Sequence, residues 1–149
     1  MLIRRARKED YPAFAAIESE HPGYPGWGEK GFEAEEKNRN SVTLTAEIDG
    51  RAAGFINFWV LRPQVQLNTL AVSRGFLRRG AASALLGKLF EYAAKSACRE
   101  IDLEVNENNA AAIALYSARG FEVVGKRPKF YNNTDAALLL RRTLLSKEI

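Results

Sequence analysis

A chain of 149 residues, 46% of them apolar and 27% charged, has the size and composition of one core-forming globular unit. Its formal charge of +4 fits a basic surface or an acidic small ligand, and no zinc-finger spacing or RNA-recognition aromatic motif accompanies the basic clusters. No apolar run approaches the roughly 20 residues of a bilayer span, the opening MLIRRARKEDY lacks a signal peptide's apolar segment, and the lone Cys98 excludes an internal disulfide framework. These features predict a cytoplasmic protein without a membrane partner and without direct nucleic-acid binding.

Taken in chain order, LIRRA reads as a short first strand and KEDYPAFAAIESE as a helix opened by Asp10, with Pro12 tolerable in its first turn. The glycines and prolines of HPGYPGWG predict a loop, and EKGFEAEEKNRN a second, polar helix. VTLTAEI and AAGFINFWVL flank Asp49-Gly50, a strong hairpin signal, and Pro63 ends that hairpin before the strand VQLNTLAV. Ala82, Leu85, Leu86, Leu89, Phe90 and Ala93 then repeat with the spacing of one buried helix face, and Cys98 is expected in that helix's last turn. EIDLEV is a strand, residues 109–119 a helix closed by Gly120, and FEVVGK and DAALLLRRTL are final strands. The order predicts one α/β domain over residues 1–149, with a mixed, largely antiparallel sheet flanked by helices.

Three stretches bear on chemistry. His21, the only histidine, sits in a Pro/Gly loop, and neither it nor Cys98 has the neighbours of a Cys–His or Ser–His–Asp nucleophile or of a metal site. In AVSRGFLRRGAASALL a strand leads through an Arg- and Gly-containing loop into a helix beginning with small residues. A helix start of that kind offers free N–H groups to a phosphate, although an ordinary loop with solvated arginines has the same composition. In LEVNENNAAAIALYSARGF, Glu104 points away from Leu103 and Val105. Facing a cleft, a partly buried carboxylate there would have a raised pKa and accept a proton near neutral pH, whereas most strand glutamates are simply solvated. Asn109 and Tyr116 are expected to share one helix face, with alanines between them leaving room for an extended ligand; the alternative for Tyr116 is ordinary packing.

In order and spacing, LNTLAV, LRRGAASALL and LEVNENNAAAIALYSARGF resemble the GCN5-related N-acetyltransferases (GNAT). NAAAIALY, YPGWGEKGF and FYNNTDAALLL are most similar to the ribosomal-protein alanine N-acetyltransferase branch. The resemblance implies an acetyl-CoA cosubstrate and no metal. It places the pyrophosphate loop at Leu77, Arg78, Arg79, Gly80, Ala81 and Ala82, with Leu77 standing where Gln or Arg is usual. It also implies coenzyme contacts at Leu70, Ala71, Val72 and Asn109, a general base at Glu104 and a general acid at Tyr116. Trp27, Phe32 and Tyr131 are candidates for an acceptor wall, although packing of a lid loop and the last strands would explain them equally. The expected acceptor is a peptide N-terminus, an alanine of a ribosomal protein, and the expected assembly a monomer or weak homodimer. The alternatives are an acetyltransferase for a polyamine, antibiotic or amino acid, and a non-catalytic acyl-CoA-binding module.

Overall fold

The computed structural model describes residues 1–21, 26–131 and 134–144, the side chains of 129–131 excepted. The elements follow as β1 (Leu2–Arg5), α1 (Tyr11–Ser19), α2 (Gly28–Glu35), β2 (Ser41–Ile48), β3 (Arg51–Leu61), β4 (Gln64–Val72), α3 (Ala81–Lys95), β5 (Glu100–Asn106), α4 (Ala110–Ser117), β6 (Glu122–Tyr131) and β7 (Asp135–Thr143). All seven strands form one sheet in the order β1-β2-β3-β4-β5-β7-β6. Every pairing is antiparallel except β4–β5, whose parallel register needs the crossover that α3 provides.

Local chemistry sets the joints. Asp49 and Gly50 both lie at positive φ, 53° and 75°, the backbone of the two-residue hairpin turn that their sequence predicts. Pro12 falls in the first turn of α1, where its lack of an N–H costs no helical bond. One expectation needs correction. Helix α3 ends at Lys95, Ala97 turns the chain at φ 56°, and Cys98 lies beyond the helix, fully buried beneath β4 with its thiol directed at the Gln64 carbonyl. Three residues with no strong helix breaker among them concealed that stop.

The helices cover opposite faces. On one, Leu85, Leu86, Leu89 and Ala93 of α3 and Tyr116 of α4 pack with Leu44, Ile56, Phe58, Leu67, Leu103 and Val105. On the other, Tyr11, Phe14 and Ile17 of α1 and Phe32 of α2 pack on Phe55 and Ala71. Each fully buried large apolar side chain contributes about 1.5–3 kcal/mol.

The sheet opens at its centre. Strands β4 and β5 pair from Gln64/Glu100 to Leu67/Leu103 and no further. One residue later the β3–β4 ladder is irregular: Phe58 pairs with Leu67 and Asn57 with Thr69, so Asn68 is an extra residue bulged out of β4. A bulge of this kind bends its strand and raises the local twist. Beyond it, Thr69–Val72 and Glu104–Asn106 form no pairs with one another, which leaves a slot in the ladder at the middle of the sheet.

Candidate active site

The slot has two walls. On β4, Leu70 and Val72 turn toward the α3 side and Ala71 toward the α1–α2 side, while the strand edge facing β5 has no strand partner after Leu67. On β5, Leu103 and Val105 join the α3-side core, so strand alternation sends Glu104 to the α1–α2 face. The end of α1 braces the loop leaving β4. The Glu20 carboxylate accepts from the Arg74 N–H at 2.7 Å and from the Ser73 hydroxyl at 3.2 Å, and the His21 Nε2 lies 3.1 Å from the Val72 carbonyl oxygen.

At the open end of the slot, α3 begins without a cap. Gly80 occupies the N-cap position at φ 81° and contributes no side chain, and the first turn contains no acidic residue. The amides of Ala81, Ala82 and Ser83 have no hydrogen-bond partner among the described residues. Arg78 is held at φ 63°, a conformation uncommon for a residue with a side chain and often found where a loop serves a ligand. Arg78 is exposed, Arg79 pairs loosely with Asp49 at 3.5 Å, and the Leu77 side chain stands 52% exposed. Three free amides, a helix dipole and two arginines make an anion cradle.

The titratable groups approach the slot from opposite faces. Glu104 is 29% exposed, and its carboxylate is paired with the Arg127 guanidinium at 3.0 Å, a partner brought from β6 by the order β5-β7-β6. Tyr116 is 7% exposed on the α3 side, its ring edge-on to Phe121 at 5.6 Å. Burial pushes its phenol well above the ordinary tyrosine range, so the hydroxyl keeps its proton at neutral pH, and it makes no hydrogen bond to any described residue. Asn109 is the N-cap of α4 rather than a helical residue, with its Oδ1 accepting from the Ala112 N–H at 3.1 Å. The expected helix face shared by Asn109 and Tyr116 is therefore not formed: one is an exposed cap and the other a buried ring. Capping occupies the amide oxygen of Asn109 and leaves its Nδ2 to donate elsewhere.

Residues 3–121 match the model of the acetyltransferase (GNAT) family. The chain belongs to this family. It is therefore an acetyl-CoA-dependent N-acetyltransferase. It is 33% identical over 126 residues to the [ribosomal protein bS18]-alanine N-acetyltransferase of Escherichia coli K12, covering 85% of this chain and 84% of that one. The corresponding Salmonella typhimurium enzyme is 36% identical over 122 residues, or 82% and 81% of the two chains. The crystal structure of the E. coli ribosomal-protein-S18-alanine N-acetyltransferase superposes with a TM-score of 0.85 at 27% identity, over 99% of this chain and 97% of that one.

On the acceptor side of this N-acetyltransferase, the candidate wall divides. Trp27 is half-buried, packed against Phe32 at 5.3 Å, and begins α2 with its N–H bonded to the Glu18 carboxylate at 2.7 Å. Phe32 is 1% exposed, enclosed by Phe14 and Phe55 at 5.1 Å each. It can support a wall from behind but cannot line one. The Tyr131 side chain lies outside the described residues. Two residues of the slot went unrecognised in the sequence. Arg127 is legible only once strand order is known, and Asn68, although an evident polar residue in an apolar run, gives no sign of being supernumerary.

Proposed function

We propose that this acetyltransferase moves an acetyl group from acetyl-CoA to the α-amine of a peptide, an N-terminal alanine of a ribosomal protein, in the cytoplasm. The observation that carries the reading is the slot itself: amides without partners among the described residues at its α3 end, a β4 edge that does not pair with β5 along it, and a carboxylate on the far face. In this reading the amides of Ala81–Ser83, with Arg78 and Arg79, hold the diphosphate. The edge at Leu70–Val72 aligns the pantetheine arm and polarises the thioester carbonyl, and the Asn109 Nδ2 adds a contact. The amine nitrogen then attacks the carbonyl carbon from the Glu104 face. The C–N bond forms as the C–S bond breaks, the amine's proton passes to Glu104, directly or through water, and the sulfur leaves as a thiolate. The Tyr116 phenol is a weaker acid than a thiol, whose reference pKa is near 8.5. It therefore stabilises the departing sulfur mainly by hydrogen bonding. Orientation supplies most of the rate, with acid–base assistance of about 10²–10⁴-fold.

The pairing of Glu104 with Arg127 sharpens the choice of acceptor. An incoming ammonium competes with the guanidinium for the same carboxylate, so an amine that arrives uncharged is favoured. A free α-amine, with a reference pKa near 8, is about one-tenth uncharged at pH 7, whereas a lysine amine near 10.4 is uncharged in well under one molecule per thousand. The test is acetyl transfer measured across pH on alanine-first peptides, on the same peptides N-terminally blocked but carrying lysine, and on spermidine. The free α-amine should be preferred, and Glu104→Gln should lower kcat/KM at pH 7 with a loss that shrinks as pH rises. Fast reaction on blocked lysine peptides or spermidine alone would overturn the acceptor assignment in favour of a small-amine or lysine enzyme. A Glu104→Gln profile parallel to the wild type would remove the base.

A further inference from the structure

A buried polar chain runs to the point where the sheet splits. Asn57 of β3 is fully buried, yet both ends of its amide are used. Its Nδ2 donates to Ser41 Oγ at 2.8 Å and Thr43 Oγ1 at 2.9 Å, and its Oδ1 accepts from Asn68 Nδ2 at 3.0 Å. Ser41 in turn donates to Glu35 Oε1 at 2.6 Å, an oxygen that also receives the Trp59 Nε1–H at 2.7 Å. These partners fix the orientation of the Asn57 amide: Ser41 spends its proton on Glu35, so its oxygen must accept from Nδ2, and Oδ1 is left facing β4.

Asn68 is the residue that interrupts the ladder, and the last β4–β5 pair, Leu67/Leu103, lies immediately before it. A bulge held only by backbone can slide along its strand, because any residue can be the extra one. A side-chain bond from the extra residue to a fully buried amide removes that freedom. Sliding would leave Asn57 Oδ1 buried without a donor, which costs more than the bond itself contributes. We infer that Asn57 and Asn68 are positioning residues that pin the bulge at Asn68 and thereby hold β4 apart from β5, keeping the coenzyme slot open before coenzyme arrives. Their action passes through the backbone of Thr69–Val72, and the inference rests on the proposal that this edge receives acetyl-CoA.

The experiment compares wild type, Asn68→Ala, the apolar pair Asn57→Leu/Asn68→Val, and Thr45→Val. Thr45 is an equally buried hydroxyl on the same face, bonded at 2.7 Å to the Gly54 carbonyl and remote from the bulge. It controls for general loss of stability, and the apolar pair, which leaves neither half of the Asn57–Asn68 bond orphaned, controls for buried desolvation of those amides. Hydrogen exchange with and without acetyl-CoA first establishes whether coenzyme protects residues 68–72 in wild type; calorimetry and steady-state kinetics follow. With that footprint present, Asn68→Ala and the apolar pair should raise Kd and KM for acetyl-CoA about five- to tenfold, the equivalent of one or more hydrogen bonds, with kcat within about threefold. Thr45→Val should leave KM within about twofold. A wild-type footprint with unchanged Kd in Asn68→Ala overturns the pin while the coenzyme reading stands. Equal losses in Thr45→Val and Asn68→Ala also overturn it, showing general destabilisation. Absence of the footprint in wild type removes the coenzyme reading, and the inference with it.

Discussion

Two helix starts bordering the slot are built in opposite ways. Helix α4 begins on Asn109, whose side chain satisfies the Ala112 amide. Helix α3 begins on Gly80, which has no side chain to offer, and its first-turn amides lack partners among the described residues. At the start of α2 the Glu18 carboxylate takes the Trp27 and Gly28 N–H groups, whereas at α1 the Asp10 carboxylate turns back to the Arg7 N–H and no side chain caps the helix. Side chains thus satisfy amides at the starts of α2 and α4. The start of α3 has neither a capping side chain nor an acidic residue in its first turn, and it lies where the proposed diphosphate would sit.

The most direct way to break this contrast is to give α3 a cap. Gly80→Asp places a carboxylate at the helix start, and a Cβ at this position meets nothing nearer than the Met1 Cε at 3.9 Å. The cost of a side chain at φ 81° is about 1 kcal/mol. The variant should fold, with its thermal midpoint within a few degrees of wild type, yet bind acetyl-CoA about 100-fold more weakly by calorimetry. Unchanged affinity would detach the loop from the site.

A somewhat smaller effect separates binding from chemistry. In the proposed mechanism α4 contributes through a side chain near its far end, so Tyr116→Phe should bind acetyl-CoA almost normally and lower kcat about 10–100-fold. Unaltered turnover with chemistry rate-limiting would leave Tyr116 a packed aromatic.

Asp10 probes the charged joint that precedes α1. Burial alone would raise its carboxyl, but two bonds from the Arg4 guanidinium at 2.8 and 2.9 Å and the Arg7 N–H at 2.7 Å hold it below the usual carboxylate range. A folded-state pKa below the unfolded one means stabilisation fully present above about pH 4 and lost as pH falls through the lower folded value. Asp10→Asn should cost about 2 kcal/mol at pH 7 in urea unfolding and flatten the acid limb of stability against pH. The smallest effect belongs to Asn109→Ala, which should cost about 1 kcal/mol. Coenzyme affinity should also fall a few-fold if the Asn109 Nδ2 makes its proposed contact, and unchanged affinity would leave Asn109 a cap alone.

Much of this was legible in the sequence, for reasons visible residue by residue. Alternation and the Asp49-Gly50 turn announced the strands, and the repeat of Leu85, Leu86 and Leu89 announced α3. The bulge was not legible, because Asn68 in LNTLAV reads as one more outward position of an alternating strand; a supernumerary residue shows only in the pairing of Leu67 with Phe58 and of Thr69 with Asn57. For Phe32 both an acceptor wall and simple packing are open in the sequence, and its burial fits the packing alternative. In α2, whose remaining residues are Gly, Ala, Glu and Lys, such a residue is the helix's one anchor in the core. The partner of Glu104 was out of reach, since Arg127 meets it only because β7 lies between their strands.

The parted strands have a thermodynamic consequence beyond catalysis. A strand edge that pairs with no neighbouring strand is normally found at the rim of a sheet, where charge, twist or brevity guards it; beyond Leu67 the β5-facing edge of β4 has no strand partner among the described residues and lies in the middle. If acetyl-CoA takes the place of the absent neighbour, the cosubstrate acts as a transient eighth member of the sheet and its binding is coupled to folding. At a free concentration 100 times its Kd, it would add about 2.7 kcal/mol to the unfolding free energy. A cell short of acetyl-CoA would then hold an enzyme that is idle and also more readily unfolded and cleared, so supply of the acetyl donor would set abundance as well as rate.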